Sequence, residues 1–293
     1  MNLNQIKKLM ERKKNARKGE NGYLLIMGGS EDYAGAPALA GLAALRAGCD
    51  SVTIAAPEKV AWAINKLSPD LITKKFSGAY FTLKHAKELT KLSDRFTVTL
   101  IGNGFSSKSN RCTQYFVRKS MRLKVIDADA LKALSFKDPH NSLLTPHFKE
   151  LEQMLINSRK DFLLPKLRMS NPKEIGEILQ GNLKYFLQNN NVLMIKGATD
   201  IIISRNKIAL NKTGNPGMAK AGTGDVLAGL AAGFLAKTQD IFKSAVAASY
   251  VNGYVGDLLL KKKKGYSFIA SDIIADLANI SSAKVLKKKR RKK

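Results

Sequence analysis

The 293-residue sequence predicts an α/β fold, a three-layer α/β/α sandwich around a mostly parallel central sheet. Three features carry that expectation. Short apolar runs suited to buried strands end in glycines or acids. Helix-patterned stretches separate these runs. The earliest of them already form a strand–helix–strand unit, whose crossover makes the two strands parallel.

The elements follow in order. "GYLLIMGGS" is a buried strand entering a tight loop. "APALAGLAALRAG" is a small-residue helix, with Pro37 in its first turn and Gly48 as its C-terminal cap. "SVTIAAP" is a second buried strand. "FTVTLIGNG" is a strand ending in glycines, "RCTQYFVRKSM" is helical, and "LKVIDADAL" is a strand ending in two acids. "NVLMIKGATDIIIS" is a strand, a turn and a further strand. "DVLAGLAAGFLA" is a small-residue helix, and "IFKSAVAASYVNGYVGDLLL" is a second long helix packed by Ala, Val and Tyr. "IASDIIADLANI" is a last amphipathic helix with Ser271 as its N-cap. The unusual elements GGS, IGNG, IDAD, LTPH and KGATD mostly follow strands. They therefore converge at the carboxyl edge of the sheet, where open α/β sheets bind ligands.

The organisation is one domain over residues 21–283, preceded by a basic, amphipathic extension (1–20) and followed by a basic tail (284–293). Much of the formal charge of +27 lies at these ends and in one lysine run of the domain. The last ten residues hold eight basic side chains, Lys261 to Lys264 add four, and the first eighteen residues hold seven against one acid. The body is only mildly basic. A like-charge terminal block is a solvated tail or a contact for a nucleic acid or other anionic surface. No base-reading motif accompanies it. Hydrophobic residues make up 44% of the chain, enough for a large core and against global disorder. No apolar stretch has the length of a membrane span, and the N-terminus lacks the apolar segment of a secretory signal, so a cytoplasmic protein is expected. Glu11, Glu20 and the scarcity of Ser argue against a transit peptide. Cys49 and Cys112 form no CxxC pair; two buried thiols are expected, not a disulfide or zinc site.

The chemistry concentrates in "GNPGMAKAGTGDVLAGLAAGFLA", residues 214–236. A glycine loop runs into a helix start, and Asp225 stands at the join. Backbone N–H groups of a helix N-terminus, approached closely past glycines, suit a phosphate. A carboxylate facing such a cradle suits the acceptance of a proton from a hydroxyl that attacks phosphorus. On spacing alone the plainer reading is favoured, an Asp capping a helix after a glycine turn. No Walker A sequence is present, and "GGSEDYAG" is not a dinucleotide fingerprint.

"NPGMAKAGTGDVLAG" resembles the signature of the ADP- or ATP-dependent NAD(P)H-hydrate dehydratases of the ribokinase-like superfamily. Further segments are similar in the same order: "LLIMGGSEDYAGAPALAGLAALRAGCDSVTIAAP", "IGNGF", "VIDADAL", "LLTPHFKEL" and "VLMIKGATDII". The resemblance runs from about Tyr23 to Ser281. It implies a ribokinase-like fold and a lyase that repairs hydrated NADH or NADPH (NADHX or NADPHX). The hydroxyl is phosphorylated by ADP or ATP, with Mg²⁺, and phosphate is eliminated. Phosphate is a far better leaving group than hydroxide.

The resemblance also implies roles. Asp225 corresponds to the general base. Gly222, Thr223 and Gly224 correspond to an anion hole, and Gly224 also to a nucleotide contact. Lys196, Gly197, Ala198, Thr199 and Asp200 match the stretch that binds the adenine nucleotide, Lys196 being either a phosphate ligand or a strand-end lysine without a role. Ala36, Gly104 and His147 match positions lining the hydrate, with Asp225. Asp127 and Asp129 order the loop, join a magnesium shell, or simply cap turns. His85 and His140 have no comparable context.

Three departures stand out. Phe148-Lys149 replaces the usual Pro-Gly after TPH, "IGNGF" stands for an IGPG-type loop, and Ala221 stands where a third glycine is frequent. The first twenty residues are too few for the epimerase often fused to this domain, so a separate epimerase is the implied functional partner. The family tendency is a homotetramer, and ADP is the expected donor. Two other readings compete: a ribokinase-like kinase for a hydroxymethylpyrimidine or hydroxyethylthiazole vitamin precursor, and a nucleic-acid-binding protein on the same fold.

Overall fold

The computed structural model describes residues 1–12, 14–262 and 265–280. The basic tail expected at 284–293 lies outside the described residues. In chain order the elements are α1 (Leu3–Met10), β1 (Tyr23–Met27), α2 (Gly35–Ala47), β2 (Ser51–Pro57), α3 (Glu58–Leu67), β3 (Ile72–Phe76), α4 (Leu83–Ser93), β4 (Val98–Ile101), α5 (Asn110–Lys119), β5 (Leu123–Ile126), α6 (Asp129–Lys132), β6 (Ser142–Leu144), α7 (Phe148–Asn157), α8 (Leu164–Met169), α9 (Pro172–Asn182), α10 (Lys184–Gln188), β7 (Val192–Ile195), β8 (Asp200–Ile203), β9 (Ile208–Asn211), α11 (Thr223–Thr238), α12 (Ile241–Lys262) and α13 (Ala270–Leu277).

Among the described residues the sheet has nine strands in the order β3-β2-β1-β4-β5-β6-β7-β8-β9. β3 through β7 pair in parallel. β8 and β9 continue the sheet antiparallel, because the turn at Gly197–Thr199 is too short for a crossover. The chain moves outward from β1 to β3 on one side and from β4 to β9 on the other. The topological switch point therefore falls between β1 and β4.

Strand alternation divides the core between the two faces of the sheet. Leu24 and Ile26 of β1 join α2, α3, α11, α12 and α13 on one face. Leu25 and Met27 join α4, α5, α7, α9 and α10 on the other. The small-residue helices α2 and α11 meet within this one chain. A Cβ added at Gly229 would lie 2.1 Å from the Ala40 carbonyl oxygen, and one at Gly233 would lie 2.7 Å from that of Ala44. Two glycines four residues apart thus bring the helix backbones into contact. The N-terminal segment is docked as well: Ile6 and Leu9 of α1 are buried in the first cluster.

Several local expectations are met and one is corrected. Gly48 caps α2 in the left-handed conformation. Cys49 and Cys112 are free, buried thiols. Ser271 is not the N-cap of α13: the helix starts at Ala270, with Ile269 in the cap position, and Asp272 supplies the acceptor for the Ile269 amide. The side chain of Asp272, two residues into the helix, takes the Ile269 amide, so the boundary falls two residues earlier. No helix among the described residues is long and apolar enough to cross a membrane.

Candidate active site

Because β1, β4, β5, β6 and β7 are adjacent and parallel, their C-terminal ends line up along one edge. This sets the loops at Gly28–Gly29, Gly102–Gly104, Asp127, Thr145–His147 and Lys196–Ala198 in a row. Lys196 N donates to Pro146 O at 2.8 Å, which knits the last two loops together and sets Lys196 beside His147.

α11 begins opposite this row. Its N-cap is Gly222, in the left-handed region at φ 89°, and no side chain caps the helix. Thr223 is turned away: its hydroxyl donates to the carbonyls of Met218 and Lys220 at 2.7 and 2.9 Å. Thr223 N donates to Lys220 O at 3.4 Å, so the N–H groups of Gly224 and Asp225 and the positive end of a 16-residue helix are left for a ligand. Ala221 has an ordinary negative φ, so a methyl replaces the frequent third glycine without backbone strain.

Asp225 lies in that first turn. Its Oδ1 accepts from Asn103 Nδ2 at 2.6 Å. The other hydrogen of the same amide goes to Asp127 Oδ2 at 3.0 Å. Asp127 is buried with both oxygens engaged, its Oδ1 accepting from Thr145 Oγ1 at 2.7 Å and Lys196 Nζ at 2.8 Å. Lys196 Nζ stands 3.8 Å from Glu150 as well. Burial alone would lower the Lys196 pKa, but the charges of Asp127 and Glu150 outweigh it and hold the ammonium protonated. Burial pushes Asp225 up to about 6; the Asn103 hydrogen bond and Lys196 oppose this and the charge of Asp127 adds to it. An acid of this strength is ionised near neutral pH and still a competent proton acceptor.

A cavity of about 810 Å³ adjoins the helix start. It collects His147, Lys196, Gly197, Ala198, Asp200, Thr223 and Gly224 from the residues singled out in the sequence. Thr199 sits in the same β7–β8 turn without lining the cavity, and Gly222 lies just behind the helix start. Asp200 orders the turn, accepting from Gly197 N at 3.0 Å and from Ser249 Oγ on α12 at 2.6 Å. Ala36 and Gly104 form a separate corner, where a Cβ on Gly104 would come within 3.3 Å of Ala36 Cβ. Asp225 adjoins both groups, through Gly224 on the cavity side and Asn103 on the other. His147 lines the cavity. It N-caps α7 through Nδ1, accepting from Glu150 N at 3.2 Å, while Glu150 accepts from His147 N at 2.8 Å. Phe148 opens α7 and packs on the second core cluster, and Lys149 is exposed, so the loop takes these in place of Pro-Gly without losing the cap.

Asp127 is a hub of the site, whereas Asp129 is half-exposed and paired with Lys132 at 2.6 Å. Among the described residues no group of three or more His, Cys, Asp or Glu is arranged to hold a metal ion. Sequence reasoning missed Asn103, which it treated only as part of a loop. It also missed the far wall of the cavity, Thr213 to Asn215 with Ser249 and Asn252 of α12. Asn252 Oδ1 is buried there without a partner.

A family model described as NAD(P)H-hydrate dehydratase matches residues 24–279. The bifunctional NAD(P)H-hydrate repair enzyme Nnr of Methanocaldococcus jannaschii is 37% identical over 281 residues, covering 94% of this chain and 51% of that protein. The chain thus spans about half the length of that relative. The ADP-dependent (S)-NAD(P)H-hydrate dehydratase of Cenarchaeum symbiosum is 32% identical over 275 residues, covering 92% of this chain and 91% of its own length. The solved ADP/ATP-dependent NAD(P)H-hydrate dehydratase of Bacillus subtilis, co-crystallised with ATP/Mg²⁺, superposes with a TM-score of 0.78 at 25% identity and 96% coverage of each chain.

Proposed function

The chain belongs to the NAD(P)H-hydrate dehydratase family, and from that footing we propose that it returns NADHX or NADPHX to NADH or NADPH by nucleotide-dependent dehydration. One observation carries the reading: Asp225, with its pKa raised to about 6, stands between a cavity holding Lys196 and an uncapped helix N-terminus and the loop corner of Ala36 and Gly104. The nucleotide occupies the cavity, with its terminal phosphate on the Gly222–Gly224 amides and near Lys196. The hydrate presents its hydroxyl from the corner.

Asp225 takes the hydroxyl proton as the oxygen bonds to the terminal phosphorus and the bridging P–O bond of the nucleotide breaks. AMP leaves if ADP is the donor, ADP if it is ATP. The C–O bond then breaks with phosphate as leaving group, a proton is lost from the adjacent carbon, and the ring double bond returns. Lys196 and the helix dipole stabilise the charge that grows on the transferring group. Mg²⁺ would neutralise the phosphates when bound with the nucleotide. The residues present build no protein cage for it, and both Asp127 oxygens are engaged, so the ion would be held chiefly through phosphate oxygens.

ADP is the proposed donor, supported by the name of the near-full-length archaeal relative. We further propose a cytoplasmic homotetramer working with a separate epimerase, and a weak, salt-sensitive contact of residues 284–293 with nucleic acid. The test follows recovery of reduced-dinucleotide absorbance from chemically prepared hydrate with ADP, with ATP and with neither, alongside Asp225→Asn. Nucleotide-dependent recovery that the variant loses supports the reading. A stable phosphorylated product without recovery replaces it with the vitamin-precursor kinase.

A further inference from the structure

We infer that Asn103 is a positioning residue, its single amide nitrogen holding the Asp225 carboxylate in register with the Asp127–Lys196 pair. The inference rests on Asp225 as the proton acceptor and adds a residue that no part of that reading requires. Asn103 Nδ2 has two hydrogens and two carboxylate partners, Asp225 Oδ1 at 2.6 Å and Asp127 Oδ2 at 3.0 Å. The orientation is dictated by chemistry. Turning the amide over would set three acceptors against one another with no proton between them. The present orientation is kept although it leaves Asn103 Oδ1 buried without a hydrogen-bond partner, a cost that the two charge-assisted bonds outweigh.

The backbone holds Asn103 as firmly as its side chain holds the acids. It lies at the switch point between two glycines in the left-handed region, Gly102 at φ 119° and Gly104 at φ 72°. A Cβ on Gly102 would strike the Asp127 carbonyl oxygen at 2.0 Å. The Asn103 carbonyl accepts from Gly29 N at 2.9 Å. The loops after β1, β4 and β5 therefore clamp one amide against two acids contributed by β5 and α11. Among the described residues no hydrogen bond reaches Asp225 Oδ2, so the bridge fixes one oxygen and leaves the other for an incoming hydroxyl. The charged groups facing Asp225 are Asp127 and Lys196, with Glu150 behind Lys196. The amide separates the two like charges, while Lys196, hydrogen-bonded to Asp127, also favours the ionised form of Asp225.

The test uses the full chain and two variants. Asn103→Leu is nearly isosteric and removes the bridge together with the unpaired carbonyl. Asn103→Ser is the alternative should leucine disturb folding. The Asp225 carboxyl, labelled with ¹³C and assigned by its absence in Asp225→Asn, is titrated without substrate. Its midpoint is expected to rise by about one pH unit in either variant. In the absorbance assay the acidic limb of kcat should move up by the same amount, with the KM values for nucleotide and hydrate within about twofold of the parent, as befits a residue that acts through Asp225. An unmoved Asp225 midpoint in a folded variant overturns the inference. The titration needs no turnover, so failure of the proposed activity leaves a different mark: a parent protein without nucleotide-dependent recovery, whatever the midpoint does.

Discussion

Asp225→Asn should remove activity and at the same time stabilise the protein at alkaline pH. Burial raises this carboxyl from 3.8 to about 6 in the folded state. Above pH 6 it is ionised in both the folded and unfolded chains, and the folded state carries the full penalty of a shift of roughly two units, about 3 kcal/mol. An asparagine carries no such penalty. It keeps an oxygen facing Asn103, and because the two-unit shift is already net of the charge-assisted Asn103 bond, the gain is about 3 kcal/mol. The sign follows from the raised pKa: the folded state binds the proton more tightly, so the wild-type group is harmless below 3.8 and costs stability as the pH rises through 6. Urea unfolding of both proteins at about pH 8 should show the gain, and at about pH 4 the gap should shrink to less than about 1 kcal/mol. The same variant should lose about 10²- to 10⁴-fold in kcat, the range of a general base. A variant that is less stable at pH 8, or a stability difference that does not change with pH, would refute the assignment of a buried, destabilised carboxylate at this position.

Lys196→Met leaves Asp127 buried without its cation, and should cost about 3–5 kcal/mol in urea unfolding. The acidic limb of its residual activity should also lie at higher pH, because Lys196 helps keep Asp225 ionised. Lys124 is fully buried on β5, its hydrogen bonds among the described residues going to the Ser120 and Arg122 carbonyls, and burial lowers it from 10.5 to about 7. Its penalty is absent above 10.5 and complete below 7, so Lys124→Met should gain about 2–3 kcal/mol more at pH 6 than at pH 9 in paired denaturant titrations. Gly229→Ala drives a methyl to 2.1 Å from the Ala40 carbonyl and should lower the melting temperature markedly. Gly181→Ala near the end of α9, with nothing within 4 Å, should raise stability by about 0.5–1 kcal/mol in the same calorimetric series.

Much of the site was readable because its chemistry is local. The run from Gly214 to Asp225 puts the glycine loop, the helix start and the acid within twelve residues, and the turn after β7 holds Lys196 to Asp200 together. The Asn103 bridge was not readable: it joins Asp127, 24 residues on, to Asp225, 122 residues on. No periodicity marks an asparagine between two glycines as anything but a turn. The Lys196–Asp127 pair spans 69 residues, and no local pattern announces it. The shift of the α13 boundary from Ser271 is a smaller case, with two rival caps two residues apart.

Alternating apolar runs, helix patterns and glycine punctuation were sufficient for an α/β sandwich with its loops gathered at one edge, since each depends on residues only a few positions apart. Which loops stand next to which depends on strand order, and β1 pairs with β4 across more than seventy residues. That order brings the glycine loop after β4 against the acids of β5 and α11. It also buries Asp225 deeply enough to raise its pKa, a property of the surroundings that no residue carries on its own.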